Sequence, residues 1–94
     1  MAVALVFNGV GVTRAQYEQV LAEVNPDGKV APGVLFHAAG PTADGWRVLD
    51  VWESQEALNL FFQEKLGAAL QNANISVQPE VFPVENLRQG EPSK

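Results

Sequence analysis

The chain contains no cysteine, which excludes a disulfide framework, a thiolate nucleophile and any Cys-ligated zinc or iron–sulfur centre. Basic residues are also scarce: six Lys and Arg stand against eleven Asp and Glu, for a net charge of −5. Such a chain repels a phosphate backbone and shows no basic stripe to overcome that repulsion, so nucleic acid is not an expected partner. Long hydrophobic runs are missing. The opening MAVALVFN has no basic flank and only a six-residue apolar run after Met1. That run is too short for a signal peptide or a membrane span, and a soluble, cytoplasmic protein is expected. No Gly-rich phosphate loop is present, since Asn8-Gly9-Val10-Gly11 lacks the third glycine and the lysine of the known fingerprints.

What remains, at 94 residues with 47% hydrophobic and 18% charged side chains, is the composition of one small globular domain. The domain is expected over 1–87, followed by a flexible tail over 88–94 whose RQGEPSK composition is that of a linker.

Val3 to Asn8 reads as a strand ended by Gly9 and Gly11. Thr13 can cap a helix with Gln16 completing a capping box, and Val12 and Tyr17 are placed as a hydrophobic staple. Tyr17, Val20, Leu21 and Val24 then mark one apolar stripe, and Asn25-Pro26-Asp27-Gly28 ends the helix. Val34 to Gly40 and Trp46 to Glu53 are two further strands, joined through a breaker-rich loop from Thr42 to Gly45. That loop sets His37 opposite Asp50, Ala39 opposite Val48, Pro41 opposite Trp46 and Leu35 opposite Trp52. Ser54 can cap a second helix reaching about Ala73, with Gly67 a point for a kink. A last strand is expected near Val77 to Leu87, where Pro79 and Pro83 share parity and suit an edge.

The order βαββαβ is the ferredoxin-like plan, an α+β fold with a four-stranded antiparallel sheet and two helices on one face. Val34, Phe36, Ala38, Leu49 and Val51 form a wholly apolar set, which assigns them to the helix-covered face. The bare face would then carry Leu35, His37, Ala39, Trp46, Val48, Asp50 and Trp52, joined by Ala4, Val6 and Asn8. A surface so apolar calls for a second copy of the chain, sheet against sheet.

The run Asp50-Val51-Trp52-Glu53-Ser54-Gln55-Glu56-Ala57-Leu58 resembles the strand-to-helix passage of the dimeric α/β-barrel proteins of the antibiotic biosynthesis monooxygenase group. The order of elements is similar over roughly residues 3 to 87. The resemblance implies a homodimer whose sheets close a barrel around a cavity for a small organic ligand. Its members include cofactor-free oxygenases of polycyclic phenols, haem-degrading oxygenases, isomerases and proteins with no known reaction. By the same resemblance Trp52 is the pocket tryptophan and Asn8 a first-strand asparagine that orients the ligand. The bare readings are that Trp52 fills volume and Asn8 caps a strand end.

The residues alone single out His37 and Asp50 as the catalytic candidates. A carboxylate accepting from one ring nitrogen holds an imidazole in one tautomer and raises its basicity, as a general base needs. The alternative is that the two polar groups merely satisfy each other. Leu35, Val48 and Trp46 complete the expected ligand-binding wall. Tyr17 reads as a staple residue, and Arg47 and Glu53 as solvated charges at the rim. No cofactor is expected: haem degradation in the group uses a histidine on the second helix, and Ser54 to Ala73 contains none. One His and one Asp leave a metal short of ligands. Two functions stay open, a cofactor-independent monooxygenase acting on a planar aromatic molecule, and a non-catalytic ligand-binding or structural dimer.

Overall fold

A computed structural model describes residues 1–88 and 90–93. Of the expected tail, positions 89 and 94 therefore lie outside the described residues. The elements run β1 (Val3–Val10), α1 (Arg14–Val24), β2 (Val34–Thr42), β3 (Gly45–Trp52), α2 (Gln55–Phe61), a π-helical turn (Phe62–Leu66), α3 (Gly67–Asn72) and β4 (Glu80–Pro83). The four strands form one antiparallel sheet in the order β2-β3-β1-β4. With the helices on one face, this is the expected ferredoxin-like plan.

Local chemistry accounts for the helix starts. Thr13 accepts from the Gln16 amide at 3.1 Å while the Gln16 side chain accepts from the Thr13 amide at 2.9 Å, closing the capping box. Ser54 accepts from the Ala57 amide at 3.1 Å and starts α2. No break occurs at Gly67. The helix instead widens just before it, where the Gly67 amide donates to the Phe62 carbonyl and α3 continues directly.

The β2–β3 hairpin keeps the expected register from Phe36↔Val51 and His37↔Asp50 to Thr42↔Gly45. It departs at one end: a bulge between Val34 and Phe36 pairs Val34, not Leu35, with Trp52. Leu35 is the extra residue and is turned outward, exposed. The hairpin tip is clasped by the end of β1, where the Gly11 amide donates to the Asp44 carbonyl at 2.8 Å. A Cβ on Gly45 would overlap the Gly9 carbonyl, whereas one on Gly40 would meet nothing within 4 Å. Gly45→Ala is therefore expected to destabilise the fold by about 1–3 kcal/mol, with Gly40→Ala within about 0.5 kcal/mol of wild type. Urea midpoints of the two variants check the contrast, and equal midpoints would refute the clasp.

The last strand is shorter than expected and lies at the sheet edge, paired only with β1. The Val84 amide donates to the Ala2 carbonyl at 2.9 Å, so by alternation the nitrogen of Pro83, opposite Val3, faces away from β1.

The faces of the β2–β3 hairpin are reversed from the sequence expectation, whereas β1 keeps its expected sides, with Val3, Leu5 and Phe7 under the helices and Ala4, Val6 and Asn8 on the open face. β1 pairs with β3 as Val3↔Trp52, Leu5↔Asp50, Phe7↔Val48 and Gly9↔Trp46, and directly opposed residues share a face. Val3, Leu5 and Phe7 pack under the helices in the main core with Trp46 and Trp52, so Val48, Asp50 and His37 lie on that face too. The open face carries Phe36, Ala38, Leu49 and Val51 with Ala4, Val6 and Asn8. Phe36 is 57% exposed, Phe82 49% and Leu49 39%. Both alternations of β3 are rich in apolar residues, and the larger surface, that of the tryptophans, is the one the helices cover.

Candidate functional site

The helix-covered face of β3 delivers Trp46, Val48, Asp50 and Trp52 in alternation, and the adjoining β2 adds His37. From the opposite wall α1 contributes Tyr17, and the second helical stretch contributes Phe61, Leu66 and Leu70. Between these walls is a cavity of about 500 Å³ whose lining is mainly apolar. That volume suits a small organic ligand.

The polar part of the wall is a chain of three side chains. Asp50 Oδ1 lies 2.5 Å from His37 Nδ1, and His37 Nε2 lies 2.8 Å from the Tyr17 hydroxyl. A carboxylate can only accept, so Nδ1 carries the proton; in the neutral ring Nε2 is then the acceptor and the Tyr17 O–H donates to it. The imidazole keeps 29% of its surface and the Asp50 side chain 14%, although the backbone of His37 is open on its edge strand. The hydrogen bond to Asp50 raises the His37 pKa above 6.5; burial opposes this, and the Asp50 charge adds to the rise. Burial, and then the Asp50 charge, push the Tyr17 pKa above 10.0, so its phenol stays protonated. The arrangement can accept a proton at the imidazole and hold it there against the carboxylate.

Aromatic rings brace the chain. Tyr17 lies against Trp46 with centroids 5.0 Å apart and nearly parallel to His37 at 6.4 Å. The Arg14 guanidinium sits 5.8 Å from the Trp46 ring centre, and Trp52 meets Phe61 at 5.2 Å. Both indole nitrogens are fully buried without a hydrogen-bond partner among the described residues. The tryptophans therefore meet the cavity with carbon surface, which suits stacking rather than hydrogen bonding.

Five of the seven expected site residues, His37, Asp50, Trp46, Val48 and Trp52, line this cavity. Two do not. Leu35 is displaced by the bulge, and Val34 lines the cavity in its place. Asn8 lies on the open face, where its Oδ1 accepts from Arg47 Nε at 2.7 Å, and it is not positioned to orient a ligand in the cavity. Tyr17 was missed as a polar participant. It stands in the apolar stripe of α1, and only the correct face for His37 brings the two together. Among the described residues no group of three or more His, Cys, Asp and Glu could hold a metal ion, and no helix is long and apolar enough to cross a membrane.

This sheet, with its helices on one face and a cavity between the two layers, defines an α+β ferredoxin-like protein, and several solved structures are similar to it. A candidate antibiotic biosynthesis monooxygenase from Deinococcus radiodurans is similar with a TM-score of 0.65 at 11% identity, over 98% of this chain and 100% of that one. SnoaB, a cofactor-independent oxygenase from Streptomyces nogalater, is similar with a TM-score of 0.57 at 18% identity, over 98% and 95% of the two chains. A dimeric ferredoxin-like protein of unknown function from Thermobifida fusca is similar at 0.59 and 16%, over 88% and 90%. No protein-family model and no curated protein matches the sequence. The chain thus shares its fold with solved structures described as antibiotic biosynthesis monooxygenases, the fold that the resemblance around Asp50 to Leu58 implies.

Proposed function

We propose that the protein is a cytoplasmic, homodimeric relative of the cofactor-independent oxygenases that binds a planar aromatic molecule between its sheet and its helices and oxidises it with dioxygen. The observation that carries this reading is the Tyr17–His37–Asp50 chain set into the wall of an otherwise apolar cavity. A proton leaves an activated carbon of the substrate and is held on His37, which Asp50 orients and stabilises as a cation. The electron pair left on carbon reacts with dioxygen to a peroxide. For an anthrone, loss of water from that peroxide turns the CH₂ carbon into a ketone, so one oxygen atom enters the product and the other leaves as water.

The ligand lies on the helix side of the sheet, not inside a barrel lumen. The open face of Phe36, Leu49 and Phe82 is left for the second copy of the chain, since an apolar patch of this kind on a soluble protein marks an interface. The dimeric relative of the same fold supports that use.

The test is oxygen uptake with 1,8-dihydroxy-9-anthrone, the quinone product followed by absorbance, alongside light scattering. Uptake of one dioxygen per quinone formed, in a protein with twice the chain mass, is the expected result. Tight binding of the anthrone without uptake would replace this reading by the non-catalytic, ligand-binding one. A chain that stays monomeric at high concentration would remove the dimer.

A further inference from the structure

We infer that the group which meets the substrate's acidic hydrogen is the Tyr17 hydroxyl oxygen, with His37 acting behind it as the store for the proton. This inference rests on the oxygenase reading above and names the contact that reading leaves open.

An imidazole has two nitrogens, each with one in-plane position for a hydrogen bond. In His37 both are occupied, Nδ1 by Asp50 at 2.5 Å and Nε2 by Tyr17 at 2.8 Å. No lone pair on the ring is free for a ligand. The Tyr17 oxygen differs, since its single O–H is directed to His37 while its lone pairs remain available. Tyr17 also lines the cavity, its ring set against Trp46 at 5.0 Å.

The step balances without a charged phenol at either end. The substrate hydrogen is passed to the Tyr17 oxygen as the tyrosine's own proton moves to Nε2. The products are a substrate anion, a neutral Tyr17 and an imidazolium bonded to Asp50. A free tyrosinate is disfavoured by burial and by the Asp50 charge, so the proton crosses the phenol and does not leave a charge there. Direct attack by His37 would first require the Tyr17 hydroxyl to give up its only hydrogen bond among those of the described residues.

Tyr17→Phe separates the two arrangements, because it keeps the ring and frees Nε2. Uptake with the anthrone is expected to fall by about 100-fold or more. Bound alizarin, whose colour reports the ionisation of its phenol, is expected to be ionised by wild type and to stay neutral in Tyr17→Phe. Uptake within about threefold of wild type, or faster, would show that a freed His37 suffices and would overturn the assignment. A measurement on the unaltered chain guards against a misfolded variant. His37 is the only histidine, so its ring ¹⁵N signals are unambiguous. With alizarin bound they are expected at imidazolium positions, and neutral-ring signals beside an ionised ligand would overturn the inference, as would failure of wild type to bind or ionise alizarin. If the anthrone is not oxidised while alizarin is ionised through Tyr17, the oxygenase reading fails and the proton route stands.

Discussion

Asp50→Asn is expected to lower turnover of an anthrone by about 10²–10⁴-fold, the range that a positioned general base contributes. Asparagine keeps the size of the side chain but removes the charge that holds the Nδ1 proton of His37 and stabilises the imidazolium. The pH dependence should change as well. The Asp50 hydrogen bond is the largest cause of the raised His37 pKa. Because the base must be neutral to work, activity rises with pH through that pKa, and in Asp50→Asn the rise should move to lower pH. Stability follows the opposite sense. A histidine whose pKa is raised in the folded state contributes stability that is fully present below its ordinary 6.5 and is lost as pH rises through the folded value. Melting temperatures taken from about pH 5.5 to 8.5 should fall across that window in wild type and change less in Asp50→Asn. Turnover within about threefold of wild type would show that the pair is only a structural contact.

Trp52→Ala is expected to cost about 3–5 kcal/mol, the range for removing a large aromatic from a core. Trp52 is 1% exposed, the largest fully buried side chain, and lies between β3 and the Phe61 end of α2. A domain of this size loses roughly 4–8 °C of Tm per kcal/mol, so the variant should melt about 12–40 °C below wild type. Trp52→Phe retains an apolar ring and should keep most of the stability. Because the indole nitrogen has no partner among the described residues, no hydrogen bond is lost with it. A cost for Trp52→Ala below about 1 kcal/mol, measured by urea unfolding, would show that the helices do not close over this side of the sheet.

Much of the fold was legible because its signals are local. The Thr13–Gln16 capping box, the Ser54 cap and the register that sets His37 opposite Asp50 each depend on residues close in sequence, and each is present. Gly67 was a weaker guide. Its propensity cost pointed to a kink, but the chain accommodates the position by a π-helical turn that runs from Phe62 to Leu66 and ends just before Gly67. Leu35 escaped because a bulge is one residue of slippage that an alternating pattern does not announce.

The sequence by itself determined the elements, their order, the hairpin register and the pairing of the one histidine with Asp50, since caps, turns and alternation act over a few residues. Tertiary structure alone decided which face of the sheet the helices cover. Leu49 and Val51 make one alternation of β3 apolar, and Trp46, Val48 and Trp52 make the other so. A strand apolar on both faces carries no local mark of its inside. The long-range pairing of β1 with β3 locks Leu5 to Asp50 and Phe7 to Val48. Burying the larger tryptophan surface then places the carboxylate and imidazole under the helices, where Tyr17 reaches them.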